Sequence, residues 1–153
     1  MGPGIDHWNA LRHLIGYLRF TPDRGIVISK SAEPVIRCYV DANWGGEASC
    51  STHGYVILHG TNPIAWQSKR QATVAASTAQ AEYLALSFAA KKCLWISHLF
   101  SPILKSPTPI LLSDNKTAIG IAMDTFSCKQ TRHLIREFNL INEYIVKGKM
   151  MLE

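Results

Sequence analysis

Two apolar runs that each end in an aspartate constrain the fold of this chain more than any other feature. The first is Val35-Ile36-Arg37-Cys38-Tyr39-Val40-Asp41 and the second is Ile110-Leu111-Leu112-Ser113-Asp114. Short runs rich in β-branched and aromatic residues read as strands. A carboxylate at the end of a buried strand is costly unless it is paired or holds a metal. Aspartate also favours turns, so either run taken alone reads equally as a strand entering a turn. Acidic residues are scarce, 11 among 153. A third one, Glu82, lies in Ser77-Thr78-Ala79-Gln80-Ala81-Glu82-Tyr83, which reads as the start of a helix.

The rest of the chain supplies elements around these runs. Asp6 is the expected N-cap of a first helix over residues 8–19, with Trp8, Leu11, Ile15 and Leu18 on one apolar, packing face. Thr21-Pro22-Asp23-Arg24-Gly25 is turn chemistry, and Ile26-Val27-Ile28 begins an extended segment. Strands are expected over 35–41, 53–59 and 63–67, and the short connections make them antiparallel neighbours. Ser77 with Gln80 forms a capping box for a helix over 78–100, whose buried stripe is Tyr83, Leu86, Ala90, Cys93 and Phe100. Pro102, Pro107 and Pro109 end it. A fourth strand follows over 110–113, then a short helix over 115–123. Thr131 caps a last helix over 132–146, with Leu134, Phe138, Ile141 and Ile145 inward and Gly148 as its C-cap. Residues 149–153 begin a fifth strand.

Composition narrows the class. With 47% apolar and 18% charged residues the chain is a folded single domain. No apolar run approaches the ~20 residues of a membrane span, and the N-terminus lacks signal-peptide character. Cys38, Cys50, Cys93 and Cys128 show no metal-ligand spacing and read as free thiols of an intracellular protein, cytoplasmic or nuclear. A net charge of +5 is compatible with a nucleic-acid partner.

The blocks Asp41-Ala42-Asn43-Trp44-Gly45-Gly46, Ser51-Thr52-His53-Gly54-Tyr55, Pro63-Ile64-Ala65-Trp66-Gln67-Ser68-Lys69-Arg70-Gln71, the Glu82 helix start and Ser113-Asp114-Asn115 occur in an order and spacing that resemble the ribonuclease H domain of copia-type retrotransposon polyproteins. The resemblance runs from His7-Trp8 to Gly148. It implies an α/β fold, a mixed sheet of strand order 3-2-1-4 with a partial fifth strand and helices over its faces. Residues 1–30 then form a helix and extended connector, and 31–153 the ribonuclease H-like domain. It implies that Asp41, Glu82 and Asp114 are catalytic and hold Mg2+ or Mn2+. The partner it implies is an RNA–DNA hybrid, whose RNA strand is hydrolysed.

Hydrolysis of a phosphodiester needs an activated water, a stabilised leaving oxygen and neutralised phosphate charge. Two divalent ions about 3.5–4 Å apart supply all of these, and such ions take oxygen ligands. Contacts to nucleic acid are sought among small polar, glycine and basic residues near the acids. Asn43, Ser51, Ser77 and Asn115 can donate to phosphates or serve turns and caps. Trp44 can stack on substrate or pack over the sheet edge, and Gly45 permits close backbone approach. Lys69 and Arg70 are expected in the loop before the Glu82 helix, touching the DNA strand or simply solvated. His133, beside Arg132 and Arg136, is a candidate phosphate contact.

The sequence departs from the resembled pattern in three places. Cys50 stands where Lys or Arg is usual, and Ile135 follows Arg132-His133-Leu134 where an acid is usual. The segment that carries a fourth carboxylate does not occur before Glu153. Its absence is expected to leave an uncovered sheet edge and an apolar sheet face, open to self-association or a protein partner. Two functions follow: hydrolysis weakened by the missing ligand, or a catalytically impaired, co-opted fold that binds nucleic acid or protein.

Overall fold

The computed structural model describes residues 2–30, 33–46, 49–103, 108–123 and 135–153, with backbone alone for 135–138. Its elements run α1 (Ile5–Phe20), β1 (Ile36–Asn43), β2 (Thr52–His59), β3 (Asn62–Arg70), α2 (Thr78–Phe100), β4 (Ile110–Leu112), α3 (Lys116–Met123), α4 (Ile135–Val146) and β5 (Met151–Leu152). The strands form one mixed sheet in the order β3-β2-β1-β4-β5, flanked by helices. β1–β2 and β2–β3 are antiparallel, while β1–β4 and β4–β5 are parallel.

The alternation along β1 shows why the sheet has one core face. Ile36, Cys38, Val40 and Ala42 are buried, while Tyr39, Asp41 and Asn43 between them are exposed. The buried set meets α2, which lies on β1, β2 and β4. Tyr83, Leu86, Ala90 and Cys93 of the expected stripe are fully buried, and Phe100 packs at the margin of the core. Ser77 caps α2 by accepting from Gln80 N–H at 3.2 Å. The Gln80 side chain reaches Ala76 N–H at 2.7 Å, one residue before the position a capping box would use. α3 and α4 pack on α2 and on each other, on the same side of the sheet.

The C-terminal residues join the sheet as expected. α4 ends in a Schellman motif: Gly148 has φ +63, its N–H donates to Ile145, and Lys149 N–H donates to Tyr144. The chain then turns into β5, with Met150 and Leu152 buried and Met151 exposed.

Several expectations are corrected. α1 starts at Ile5 rather than Trp8, and Asp6 lies inside it. Its cap is Gly4, whose N–H donates to His7 Nδ1 at 3.1 Å. Its apolar face is not buried among the described residues: no residue of α1 is buried. β3 runs three residues past Gln67, so Lys69 and Arg70 belong to a strand and not to a loop. Pairing with β2 through Arg70 outweighs the polarity of these residues. The described helices that pack on the sheet lie on one face, so the other face is not covered by them. Pro107, Cys128, Thr131, Arg132, His133 and Leu134 lie outside the described residues, as do the side chains of Arg136 and Phe138.

Leu111 is fully buried beneath α2 in the parallel pair with Cys38. Leu111→Ala should therefore cost about 2–5 kcal/mol in urea unfolding. A loss below about 1 kcal/mol would show that β4 is not part of the cooperative core.

Candidate metal centre

The acidic residues reach one place by three different routes. Asp41 is near the C-terminal end of β1. The parallel register pairs Arg37 with Ile110, Cys38 with Leu111 and Tyr39 with Leu112. Continued by two residues, that register sets Asp114 beside Asp41. Glu82 comes from the first turns of α2, whose N-terminus sits over the same end of the sheet. One carboxylate oxygen from each of Asp41, Glu82 and Asp114 lies within 4.8 Å of the others.

Their environments differ. Asp41 and Asp114 are exposed, whereas Glu82 is 5% exposed. The Glu82 carboxylate accepts from Ala42 N–H, yet its Oε2 has no hydrogen-bond partner among the described residues. Burial pushes the Glu82 pKa up to about 7, the Asp41 and Asp114 carboxylates add to the rise, and the Ala42 amide opposes it. A buried, half-satisfied carboxylate facing two others suits a divalent cation, whose charge reverses the repulsion. Oxygen-only ligands suit magnesium or manganese. Among the described residues no fourth acid joins the cluster.

The residues expected to touch nucleic acid fall into two groups. Some have local work. Trp44 Nε1 donates to Ala75 carbonyl at 2.9 Å, which ties the loop after β1 to the approach of α2. Gly45 closes that loop: a Cβ there would lie 2.7 Å from Ser49 O and 2.8 Å from Cys50 O. Ser51 is fully buried, its hydroxyl accepts from Gly45 N–H at 3.3 Å, and its carbonyl accepts from Gln71 N–H at 2.7 Å. Ser77 caps α2, and Asn115 Oδ1 caps α3 through Ala118 N–H at 2.9 Å. The others are open. Asn43 is exposed two residues beyond Asp41, on the same face of β1. Lys69 and Arg70 are exposed on edge strand β3. His133 lies outside the described residues.

One polar site escaped sequence reasoning. His53 is buried against the Phe88 ring, centroids 4.7 Å apart, and neither ring nitrogen has a partner among the described residues. Burial, and then the Lys69 charge, lower its pKa from the ordinary histidine value. It lines a cavity of about 200 Å³ with Gln71, Thr73, Ser87 and Lys91. Strand alternation with Tyr55 is the sequence signal that could have placed it inside.

The sign of the Glu82 shift gives a stability prediction. A raised folded-state pKa contributes stability that is complete below the unfolded value of 4.5 and lost as pH rises through about 7. Glu82→Gln removes that loss. In chelator, the variant should melt above the parent protein near pH 8 and lose this advantage near pH 4.5, read by circular dichroism. A parent protein that melts higher near pH 8 in chelator would contradict the assignment.

Comparisons with known proteins bear on this geometry. The retrovirus-related Pol polyprotein from transposon RE2 of Arabidopsis thaliana is 32% identical over 152 residues, 97% of this chain and 10% of the polyprotein. The chain thus spans about a tenth of the length of that relative. Secreted RxLR effector protein 161 of Plasmopara viticola is 36% identical over 97 residues, 62% of this chain and 68% of that protein. Among solved structures, LC11-RNase H1 isolated from compost superposes with a TM-score of 0.61 at 15% identity, over 78% of this chain and 83% of that one. The same enzyme in complex with an RNA/DNA hybrid gives 0.55 at 16% identity, over 77% and 83%. No protein-family model matches the chain.

Proposed function

We propose that this chain, which belongs to the sequence family shared by retrotransposon Pol polyproteins and the effector-named protein and has a ribonuclease H-like fold, hydrolyses the RNA strand of RNA–DNA hybrids with divalent metal. The observation that carries this reading is the convergence of Asp41, Glu82 and Asp114, with the buried Oε2 of Glu82 lacking a partner among the described residues. The hybrid bound in the LC11-RNase H1 structure supports the choice of substrate class.

The residues divide the work. Asp41 and Asp114 offer oxygens from the ends of neighbouring strands, and Glu82 offers one from beneath. Ala42 N–H holds the Glu82 carboxylate in place, so the ligand set is formed before substrate arrives. When bound, divalent metal activates water, stabilises the leaving oxygen and offsets phosphate charge. Trp44, Gly45 and Ser51 shape the loop beside the acids, while Asn43, Lys69 and Arg70 are the exposed groups available to the hybrid. Ser77 and Asn115 fix the helix starts that border the site, and His133 is a candidate phosphate contact by sequence alone. In this reading residues 1–30 are a connector and 31–153 the catalytic domain.

The decisive experiment follows a labelled RNA strand in a hybrid with magnesium and with manganese. Asp41→Asn and Asp114→Asn should each cut at least ~100-fold more slowly, since even groups that only support metal ligands are worth up to about that much. Calorimetric titration with manganese should lose its heat in Asp41→Asn. Equal heats from both proteins would sink the metal assignment. Metal binding without cleavage would favour a co-opted binding module instead.

Binding should also weaken with salt, with a log–log slope near −0.9 per phosphate neutralised. Lys69→Ala with Arg70→Ala should reduce that slope by about 2 and weaken all hybrid sequences alike. An unchanged slope would remove both residues from the interface.

A further inference from the structure

The sheet face turned away from α2 carries a continuous apolar row. Trp66 pairs with Val56, Val56 with Tyr39, and Tyr39 with Leu112, so the row crosses four strands in register. Trp66 is 59% exposed, Tyr39 48% and Val56 40%. Ile110 and exposed Met151 extend the patch towards β5. A shallow cavity of about 440 Å³ opens over its Trp66 end. Scattered apolar residues on a surface are ordinary, whereas a contiguous patch marks a site of contact.

A second, independent surface in the same chain is left open, among the described residues, in the complementary way. α1 has 16 residues, none of them buried, and carries Trp8, Leu11, Ile15 and Leu18 along one side. A helix of this length is marginal in water, and most helices in proteins are held by packing of an apolar face. From Trp8 to Leu18 the stripe is about 15 Å long at the α-helical rise. The row over four strands is about 14 Å across at the usual strand spacing. Each surface is long enough to cover the other.

The tether allows the contact to be made between molecules. The connector after α1 is fixed where Ser29 exchanges backbone hydrogen bonds with the Asn62 side chain, at 2.7 and 2.8 Å. That anchor is at the β2–β3 turn, the end of the sheet opposite the carboxylates. Residues 21–28 can span up to about 27 Å when extended. Among the described residues α1 is not buried against its own sheet, and the connector gives it the reach to lie on a neighbour's.

We propose that the open face of the sheet receives α1 of a second copy of the chain, and that the exchange is reciprocal. The stripe Trp8, Leu11, Ile15 and Leu18 of one copy covers the row Trp66, Val56, Tyr39 and Leu112 of the other. A two-fold axis relates the pair, the usual symmetry of a homodimer. The inference concerns assembly and stands whether or not the acidic cluster is catalytic.

The test is light scattering coupled to size exclusion on the full chain. The parent protein should be a dimer that dissociates on dilution. Ile15→Asp, which spoils the helix stripe, and Val56→Lys, which spoils the face, should each halve the mass while keeping the far-ultraviolet dichroism of the sheet domain. Tyr39→Arg serves as the face variant if Val56→Lys does not fold. Mixing the helix variant with the face variant should restore a dimer, because one intact stripe and one intact face remain between them. A parent protein that is monomeric at about 100 μM, where a micromolar interface would be saturated, overturns the proposal. Variants that stay monomeric when mixed overturn the exchange and place α1 on its own sheet. A dimer that survives every substitution overturns it in favour of pairing at the β5 edge.

Discussion

The close packing of α2 on β1 is the constraint on which the structure depends. The helix presents Ala81, Ala85, Ala89 and Ala90 to the core, all of them buried. β1 meets it with Cys38, Val40 and Ala42. Small residues on both sides let the helix approach the sheet closely. Cys38 and Cys93 hydrogen-bond across this contact, and burial together with each other's proximity keeps the Cys38 thiol protonated. That proximity brings Glu82 to the end of a strand three elements away in sequence. A helix held further out by larger side chains would leave Asp41 and Asp114 as two ordinary exposed acids.

Around this contact, much of the local structure is spent on fixing loop geometry at one end of the sheet. Trp44 is bonded to Ala75, Ser51 to Gly45 and Gln71, and the Gln71 side chain to the Ala81 carbonyl at 2.8 Å. These bonds connect the exit of β1, the entry of β2, the exit of β3 and the first turn of α2. The residue types that suggest substrate contact are therefore the same types that build the rim. Their polarity alone cannot separate the two roles, because a hydroxyl that caps a helix and one that greets a phosphate are chemically alike.

The sequence is informative where one periodicity decides burial. The alternation of Ile36, Cys38 and Val40 with Tyr39 and Asp41, and the stripe from Tyr83 to Cys93, both match the core they form. It is uninformative where pairing over distance overrules local preference. Nothing local to Ser68-Lys69-Arg70 announces a strand; its pairing with β2 does. The helical period of α1 shows an apolar side and says nothing of what lies against it. At the site, each acid stands out alone, but their convergence depends on a parallel pairing across some seventy residues. That juxtaposition entered through resemblance to known domains, and the register of β1 with β4 supplies its geometric basis.

The unequal lengths of these two strands have a further consequence. β1 has eight residues and β4 has three, so the pairing stops at Tyr39 and Leu112 while β1 continues alone on that side. The sheet splits there, at the position where its strand order reverses direction. Such splits are the usual crevices of open α/β sheets. Backbone groups along the unpaired margin of β1 need partners, and Ala42 finds one in the Glu82 carboxylate. The opening that admits solvent to the acids and the amide that anchors the deepest of them thus have one origin. A β4 two residues longer would zip the fissure shut, turning a wettable notch into continuous sheet.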